Sequence, residues 1–247
     1  MSIATETEQT SALDIDTRVN RYDWAGVSAH LDAYGWGMLP KLLTPSEAAG
    51  IAGLFDDDSR FRSHIVMARH GFGRGEYKYF AYPLPDKVAG LRTALYPRLV
   101  PIANRWNESM GIDVRYPDAH ADFIKRCHKA GQTRPTPLLL QYGEGDFNAL
   151  HQDVYGEHVF PLQAAILLAE PQKDFTGGEF VLTEQRPRMQ SRAEVVPLDR
   201  GDAVVWAVRS RPVQGTRGTY RVNMRHGVSR LRSGHRHTLG VIFHDAQ

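Results

Sequence analysis

The sequence predicts an α+β protein in which helices support an all-β sandwich or barrel. Two observations carry this prediction. From Pro137 onward, short β-rich segments punctuated by Gly, Pro and Asp follow one another without an intervening helix. Before that point, helix start signals and helical periodicity dominate, interrupted by one hairpin. No repeat or long linker is evident, so we predict one domain over 21–247, with helical support and a lid hairpin over 21–135 and the β core over 136–247.

The N-terminal third is predicted to contain a tail and two helices. Residues 1–20 are rich in Thr, Glu and Ser and poor in large apolar groups, which predicts a disordered tail. Asp23 is placed as the N-cap of a helix that runs through Tyr34. The segment Thr44-Pro45-Ser46-Glu47 combines an N-cap, a proline at the first helical position and a glutamate three residues on. It predicts a helix that ends near Phe55.

The middle third is predicted to form a hairpin and two further helices. Apolar and aromatic residues alternate over 60–82 around a glycine-rich turn, which predicts two strands. Residues 86–110 have a helical pattern, in which Pro97 and Pro101 predict breaks. The segment 118–130 predicts another helix.

The composition limits the class of protein. The chain has 247 residues, of which 42% are hydrophobic and 23% charged, with a net charge of +2, as in an ordinary globular domain. The single cysteine, Cys127, excludes an intramolecular disulfide and a cysteine-rich metal site. No signal peptide and no run of about eighteen apolar residues is present. We therefore expect a cytoplasmic protein without a membrane partner, and we infer no obligate protein partner.

A His-x-Asp pair provides the first candidate metal ligands. His151 and Asp153 follow a glycine-rich turn between two β-rich segments, and residues two apart on a strand project from the same face. A second such pair, His120 and Asp122, lies in a helical pattern, where positions two apart diverge by roughly 200° around the axis. We therefore assign metal binding to the first pair and a solvated helix surface to the second.

A downstream segment provides a third ligand and a candidate anion site. His226 precedes Arg236 by ten residues across a turn, so an antiparallel excursion can return the arginine beside the histidine. Two histidines and one carboxylate form the facial triad of non-haem Fe(II) oxygenases, which leaves room for 2-oxoglutarate and O2. The Arg236 guanidinium suits a carboxylate, with Thr238 and Tyr142 as further donors. The alternative is that the arginine belongs to a basic surface and that the tyrosine packs in the core.

The pattern resembles the Fe(II)/2-oxoglutarate-dependent dioxygenases over about 137–245. The matching segments are QYGEGDFNALHQD, GGEFVL, RGDAVVW and HGVSRLRSGHRHTLGVIFH. The resemblance implies a double-stranded β-helix, or jelly roll, and the following roles: Fe(II) ligands His151, Asp153 and His226, with Arg236 on the C5 carboxylate of 2-oxoglutarate and Tyr142 and Thr238 as supporting contacts. The spacing is most similar to the prolyl-hydroxylase branch. The whole chain resembles a bacterial family of oxygenases predicted to act on damaged DNA.

Two basic regions favour a nucleic-acid substrate. Twelve arginines against three acidic residues lie between Arg186 and Arg236, and the hairpin alternates basic with aromatic residues. These regions predict oxidative dealkylation of single-stranded or damaged DNA. The predicted substrate residues are Arg74, Tyr77, Lys78 and Tyr155. The alternative is that arginine is simply the preferred cation of this chain and that these aromatic residues pack in the core.

Other functions stay open from the sequence. Hydroxylation of a protein side chain, as in prolyl hydroxylases, and hydroxylation of a small metabolite fit the same triad. AlkB-type repair enzymes carry a second arginine after the one that corresponds to Arg236, and this chain does not. A jelly-roll binding module without catalysis is the alternative outside the enzymes, and the complete triad disfavours it.

Overall fold

The described part of the chain contains five α-helices, all in its N-terminal half. A computed structural model describes residues 14–154 and 156–247. Short 3-10 turns over 53–56, 58–60 and 67–69 supplement the helices. The helices are α1 (Ile15–Asn20), α2 (Trp24–Tyr34), α3 (Pro45–Ala52), α4 (Asp86–Ser109) and α5 (His120–Lys129).

The strands form two main antiparallel sheets. The bounds are β1 (Trp36–Leu39), β2 (Phe61–Val66), β3 (Gly73–Arg74), β4 (Glu76–Phe80), β5 (Leu138–Tyr142), β6 (Phe147–His151), β7 (Leu162–Leu167), β8 (Phe175–Gly177), β9 (Phe180–Gln185), β10 (Arg192–Val196), β11 (Ala203–Ala207), β12 (Ser210–Gly215), β13 (Gly218–Val228), β14 (Leu231–Gly234) and β15 (Arg236–Val241). The larger sheet has the order β1-β11-β7-β15-β5-β4-β2. The smaller has the order β10-β9-β13-β6-β3, with β12 also paired to β13, and β14 pairs with β8.

The N-terminal helices begin where the sequence predicts, with one correction. The Asp23 side chain accepts a hydrogen bond from the Gly26 amide, and Thr44 and Glu47 form a complete capping box. The predicted tail over 1–20 is wrong for residues 15–20, which form α1, while residues 1–13 lie outside the described residues. Arg18 of α1 forms an ion pair with the Glu47 carboxylate of α3 at 2.7 Å, which ties α1 to the rest of the fold.

The long helix α4 corrects a second prediction. It runs without interruption through Pro97 and Pro101, although each proline removes a hydrogen-bond donor from the helix. Side chains on both sides of the prolines, such as Leu95, Leu99 and Trp106, are buried in the core. Tertiary packing of this kind stabilises a helix more than local propensity does, so it outweighs the lost hydrogen bonds.

The larger sheet separates two hydrophobic cores. On one face, Ile166 and Leu239 pack with helix residues such as Leu95. On the other face, Ala165 packs with Phe180 of the smaller sheet. This alternation follows from the opposite projection of successive side chains along a strand. The result is a β-sandwich buttressed by helices on one side, which leaves the space between the two sheets for a site.

The predicted hairpin forms the edge of this architecture. Strands β2 and β4 pair with each other, and β4 continues the larger sheet by pairing with β5. The connecting segment carries β3, which pairs with β6 of the smaller sheet. The hairpin therefore links the two sheets at one end of the sandwich.

The helices also hold the C-terminal end of the chain in place. The buried Arg92 of α4 donates to the Ile242 carbonyl at 2.8 Å and contacts the Asp245 carboxylate at 2.7 Å. Ile242 directly follows β15, so these contacts fix that strand against α4. None of the helices in residues 14–154 and 156–247 combines the length and hydrophobicity that a membrane-spanning helix needs.

Candidate metal centre

Three potential metal ligands converge between the sheets. His151 ends β6 and lies opposite His226 of β13 in the strand register. Asp153 follows two residues later, beyond the strand end, and its two carboxylate oxygens lie 3.4 Å from the Nε2 atoms of the two histidines. One ligand atom from each residue lies within 4.8 Å of the others. Two imidazoles and one carboxylate at these distances suit a divalent transition metal.

Local contacts orient the two imidazoles. His151 Nδ1 hydrogen bonds to the Ala149 carbonyl at 2.8 Å, which leaves Nε2 directed toward Asp153. A backbone partner on the second nitrogen is the usual way in which proteins select the tautomer of a metal-binding histidine. The His226 ring is buried, and its Nδ1 has no hydrogen-bond partner within the described structure.

The charges of the cluster also suit a cation. Burial opposes ionisation of Asp153, but hydrogen bonds from His151 and His226 outweigh it and hold the pKa of the carboxyl well below its ordinary value. Burial alone would lower the pKa of His151, and the neighbouring Asp153 carboxylate reverses this, so that pKa is raised. Burial lowers the pKa of His226. The carboxylate is therefore charged and His226 favours its neutral form, whereas His151 would release a proton on binding a metal.

Aromatic side chains that the sequence reasoning missed enclose His226. The Trp206 ring lies 4.9 Å from the His226 ring, and the Phe180 ring lies 6.1 Å away, measured between centroids. Trp206 belongs to the apolar strand β11 and Phe180 begins the alternating strand β9, so the sequence indicates only core packing for both. Trp206 and Phe180 pack against each other at 5.0 Å and shield one side of the centre from solvent.

Arg236 is a buried cation beside the centre. It lies opposite Tyr142 in the pairing of β15 with β5, and its Nη1 donates to Thr238 Oγ1 at 2.5 Å. The Arg236 Nε is buried without a partner among the described residues, and the buried Tyr142 hydroxyl interacts with the Asn148 side chain. Burial lowers the pKa of Arg236 to about 10. The structure thus brings the three predicted cosubstrate residues together.

A single cavity connects the two groups. Its volume is about 370 Å³, and its lining includes His151, Asp153, His226, Arg236, Thr238 and Tyr142. No carboxylate within ion-pair distance of Arg236 is found in residues 14–154 and 156–247. A buried guanidinium without an anionic partner carries a large desolvation cost, which an anionic ligand in the cavity would offset.

Two of the predicted substrate residues, Tyr77 and Lys78, lie on opposite faces of β4. Tyr77 lines the cavity together with Tyr79. Lys78 points to the opposite face, where its ammonium donates to the Phe55 carbonyl at 2.8 Å and contacts Asp58 at 2.6 Å. The prediction that Lys78 contacts substrate is therefore wrong. Successive residues of a strand project from opposite faces. Because Tyr77 projects into the cavity, Lys78 projects from the other face, toward the helices.

The other two predicted substrate residues have different outcomes. Arg74 lies on β3 with 61% of its side chain exposed, 3.5 Å from the Asp146 carboxylate. It pairs in register with Phe147, next to Asn148, and Asn148 lines the cavity. Tyr155 lies outside the described residues, so its placement stays a prediction.

The second His-x-Asp pair differs from its predicted surface position. His120 is buried, and its Nε2 hydrogen bonds to the Phe243 carbonyl at 2.8 Å. Asp122 is exposed and contacts Lys125 at 3.0 Å. The two side chains point in different directions, as the helical spacing predicts, although the histidine is a core residue and not a surface residue.

Comparisons with known proteins identify related sequences. The model of a family described as "Oxygenase, catalysing oxidative methylation of damaged DNA" matches residues 75–246. An uncharacterized protein of Mycobacterium tuberculosis, found in two strains, is 51% identical over 167 residues, which cover 68% of this chain and 72% of the relative.

Solved structures show the same fold at low sequence identity. A 2OG-Fe(II) oxygenase family oxidoreductase from Burkholderia pseudomallei is 18% identical, with a TM-score of 0.53 over 92% of this chain and 94% of the other. The epimerase SnoN from nogalamycin biosynthesis, described as non-heme and alpha-ketoglutarate-dependent, is 15% identical, with a TM-score of 0.54 over 88% and 80%. A Pseudomonas putida prolyl-4-hydroxylase is 14% identical, with a TM-score of 0.50 over 88% and 96%. The predicted jelly-roll fold with supporting helices is confirmed.

Proposed function

The chain belongs to the oxygenase family that its residues 75–246 match, and from this premise we propose that it removes N-methyl groups from damaged DNA with Fe(II), 2-oxoglutarate and O2. Family membership and fold together confirm the predicted superfamily, the Fe(II)/2-oxoglutarate-dependent oxygenases. The assignments of individual residues and of the substrate are our proposal.

One observation carries the assignment of the site. A single cavity contains both a cluster of three potential metal ligands and a buried arginine that has no carboxylate within ion-pair distance among the described residues. His151, Asp153 and His226 supply one negative charge and two nitrogen ligands, which suits Fe(II) and leaves coordination positions free. Arg236 supplies a compensating positive charge for a carboxylate. A dicarboxylic acid that also chelates a metal satisfies both requirements.

The residues around Arg236 fit the distal carboxylate of 2-oxoglutarate. The guanidinium can bind a carboxylate through two parallel N–H groups, which a lysine cannot do. Thr238 orients the guanidinium through the hydrogen bond to Nη1, and the Tyr142 ring lies beside the guanidinium at 5.7 Å from its central carbon. When bound, Fe(II) with 2-oxoglutarate and O2 supplies the oxidant that hydroxylates a C–H bond, with succinate and carbon dioxide as coproducts.

Oxygenase chemistry determines whether an N-methyl group is added or removed. Insertion of one oxygen atom converts an N-methyl group to N-hydroxymethyl, which releases formaldehyde and leaves an N–H group. The family description names oxidative methylation of damaged DNA. Because hydroxylation removes an N-methyl group and does not add one, we infer that the reaction is oxidative demethylation.

An exposed arginine supports a nucleic-acid substrate. Arg74 lies on β3, the edge strand of the smaller sheet, and 61% of its side chain is exposed. A guanidinium group binds phosphate oxygens without reading the sequence, so Arg74 would hold a strand beside the cavity. The exposed Phe72 also lines the cavity and offers an aromatic surface to a base.

Formaldehyde release tests the proposal. The purified protein, with Fe(II), 2-oxoglutarate and ascorbate, is incubated with a single-stranded oligonucleotide that carries one N-methylated base. We expect formaldehyde and succinate in equal amounts, and neither above background with Asp153→Asn or with the unmethylated oligonucleotide. Succinate formation that responds to a proline-containing peptide but not to methylated DNA would instead favour the protein-hydroxylase alternative.

A further inference from the structure

The side chain of Gln152, between the ligands His151 and Asp153, contacts two separate parts of the smaller sheet. Its Nε2 donates to the Met224 carbonyl at 2.7 Å and to the Arg209 carbonyl at 3.1 Å. Met224 lies on β13, two residues before the third ligand, and Arg209 directly precedes β12. One amide group therefore joins the segment that carries two ligands to the strand that carries the third.

The chemistry of both partners determines which atom of the Gln152 amide faces them. Backbone carbonyl oxygens only accept hydrogen bonds, so the group between them must provide N–H donors. The primary amide has two N–H groups on one nitrogen, one for each carbonyl. A glutamate carboxylate or an aliphatic side chain at this position could not make the same contacts.

These hydrogen bonds lie where the backbone pairing of β6 with β13 ends. His151 is the last residue of β6 and the register partner of His226. Asp153 belongs to no strand, although in a continued antiparallel register it would lie opposite Met224. The Gln152 side chain donates to that same residue of β13. It therefore takes the place of the strand pairing that would otherwise hold the chain at Asp153.

The two acceptors belong to a well-packed part of the smaller sheet. Met224 is 1% exposed and pairs with Glu184 of β9. Its own amide donates to the Arg209 carbonyl at 2.8 Å, which extends the pairing of β12 with β13. Because these carbonyls are fixed by the sheet, their hydrogen bonds with Gln152 fix the chain at Asp153 relative to β13.

Asp153 must occupy one position if it is to bind a metal together with both histidines. Its two carboxylate oxygens lie 3.4 Å from the two imidazole Nε2 atoms, so a small shift of the chain would remove one of these contacts. A ligand that is free before binding loses conformational entropy on binding, which weakens metal affinity. Groups that orient metal ligands typically contribute about ten- to a hundredfold to that affinity.

We propose that Gln152 is a positioning residue that holds Asp153 in place for metal binding. The proposal rests on the metal centre of the proposed function, but not on the identity of the substrate. Gln152 itself offers no ligand atom to the cluster. Without its hydrogen bonds all three ligands are still present, but Asp153 is no longer tied to the strand that carries His226.

Anaerobic metal titration tests the proposal without turnover. The Kd for Fe(II) is measured for the wild type, Gln152→Met and Gln152→Leu, which lose the N–H donors without adding a charge near the metal. Gln214→Met is the matched control, because this exposed glutamine of β12 donates to the carbonyl of the adjacent Gly215. Co(II) is titrated in parallel, since the intensity of its visible bands depends on coordination geometry. Urea unfolding of the metal-free proteins measures stability separately.

We expect the Kd for Fe(II) to rise about ten- to a hundredfold in both Gln152 variants, with altered Co(II) bands, and to stay within twofold of the wild type in Gln214→Met. The titrations are made without urea, at a temperature at which the unfolding curves show every variant to be folded.

A Kd within twofold of the wild type in either Gln152 variant would overturn the positioning role. This holds even if the urea midpoint of that variant falls, because the hydrogen bonds would then contribute to folding alone. A wild type that binds no Fe(II) would overturn the metal centre of the proposed function as well.

Discussion

His151 lies directly opposite His226 in the pairing of β6 with β13, and their ring centroids are 4.2 Å apart. Strand register therefore brings together two residues that are far apart in sequence. Asp153 completes the cluster from the chain that leaves β6, so the same strand end supplies two of the three ligands. A site built on paired strands is more rigid than one built on loops alone, which suits a centre that must hold a metal in fixed geometry.

Replacement of Arg236 should weaken binding of 2-oxoglutarate. Arg236→Gln removes the buried charge proposed to pair with the distal carboxylate, and loss of a charge-assisted pair of hydrogen bonds corresponds to roughly a hundredfold. We expect the KM for 2-oxoglutarate to rise by about that factor while the affinity for metal stays unchanged. The exposed Arg232→Gln on β14 is the control. An unchanged KM in Arg236→Gln would place the cosubstrate elsewhere.

Replacement of Lys78 should affect stability and not substrate binding. Lys78→Met retains the aliphatic stem but removes the hydrogen bonds to the Phe55 carbonyl and Asp58. We expect the free energy of unfolding in urea to fall by about 1–3 kcal/mol, since a buried carbonyl loses its donor. The affinity for single-stranded DNA should stay within twofold of the wild type. If Lys78→Met bound DNA more weakly while its free energy of unfolding stayed unchanged, Lys78 would be a substrate residue after all.

Arg74 should contribute to DNA affinity through phosphate contact. Its side chain is exposed on β3, next to the strand whose Asn148 lines the cavity, and contacts Asp146 only at 3.5 Å, so it is available to a DNA strand. In Arg74→Gln we expect weaker binding of single-stranded DNA and a salt dependence, log Kd against log salt, that is shallower by about 0.7. Lys125→Gln, on the exposed face of α5, provides the comparison. Identical salt slopes for Arg74→Gln and the wild type would exclude the contact.

His120 should make the protein less stable in mild acid. Burial, with a smaller contribution from Arg92, lowers the pKa of His120 to about 4 from an ordinary value near 6.5. Between these values the unfolded chain takes up a proton that the folded chain does not, so stability is lost as the pH falls from about 6.5 to 4. His120→Gln should make the free energy of unfolding depend less steeply on pH, by about 1 kcal/mol per pH unit.

Urea unfolding at pH 7, 6 and 5 measures this effect. His70→Gln, at an exposed position of the hairpin, is the control and should retain the slope of the wild type. A slope in His120→Gln equal to that of the wild type would mean that other groups determine the acid sensitivity.

Much of the fold was predictable because it depends on local patterns. Capping signals located α2 and α3, and the β-rich segments located the central strands of both sheets. The breaks predicted at Pro97 and Pro101 were wrong because packing on both sides of α4 is a tertiary effect that local propensity does not contain. The predicted tail was too long because the contact of Arg18 with Glu47 joins distant parts of the chain.

The cavity was less predictable than the residues proposed as metal ligands. Motif and spacing alone located His151, Asp153 and His226, which the structure brings within reach of one ion. The sequence contains one unused indication of the cavity lining, because Gln163 is a polar residue within the apolar strand Leu162–Leu167. No such indication exists for Trp206. A tryptophan in an apolar strand is ordinary core composition, and only strand order brings it beside His226.

Anaerobic titration with Fe(II) and 2-oxoglutarate tests the central claim most directly, because it requires no substrate. Chelation of Fe(II) by 2-oxoglutarate gives a visible absorption band whose amplitude reports the occupied sites. We predict a band that saturates at one Fe(II) per chain in the wild type and in Asp122→Ala, the second His-x-Asp motif, and that is lost in Asp153→Ala. An undiminished band in Asp153→Ala, with unchanged stoichiometry, would contradict the metal centre proposed for this cavity.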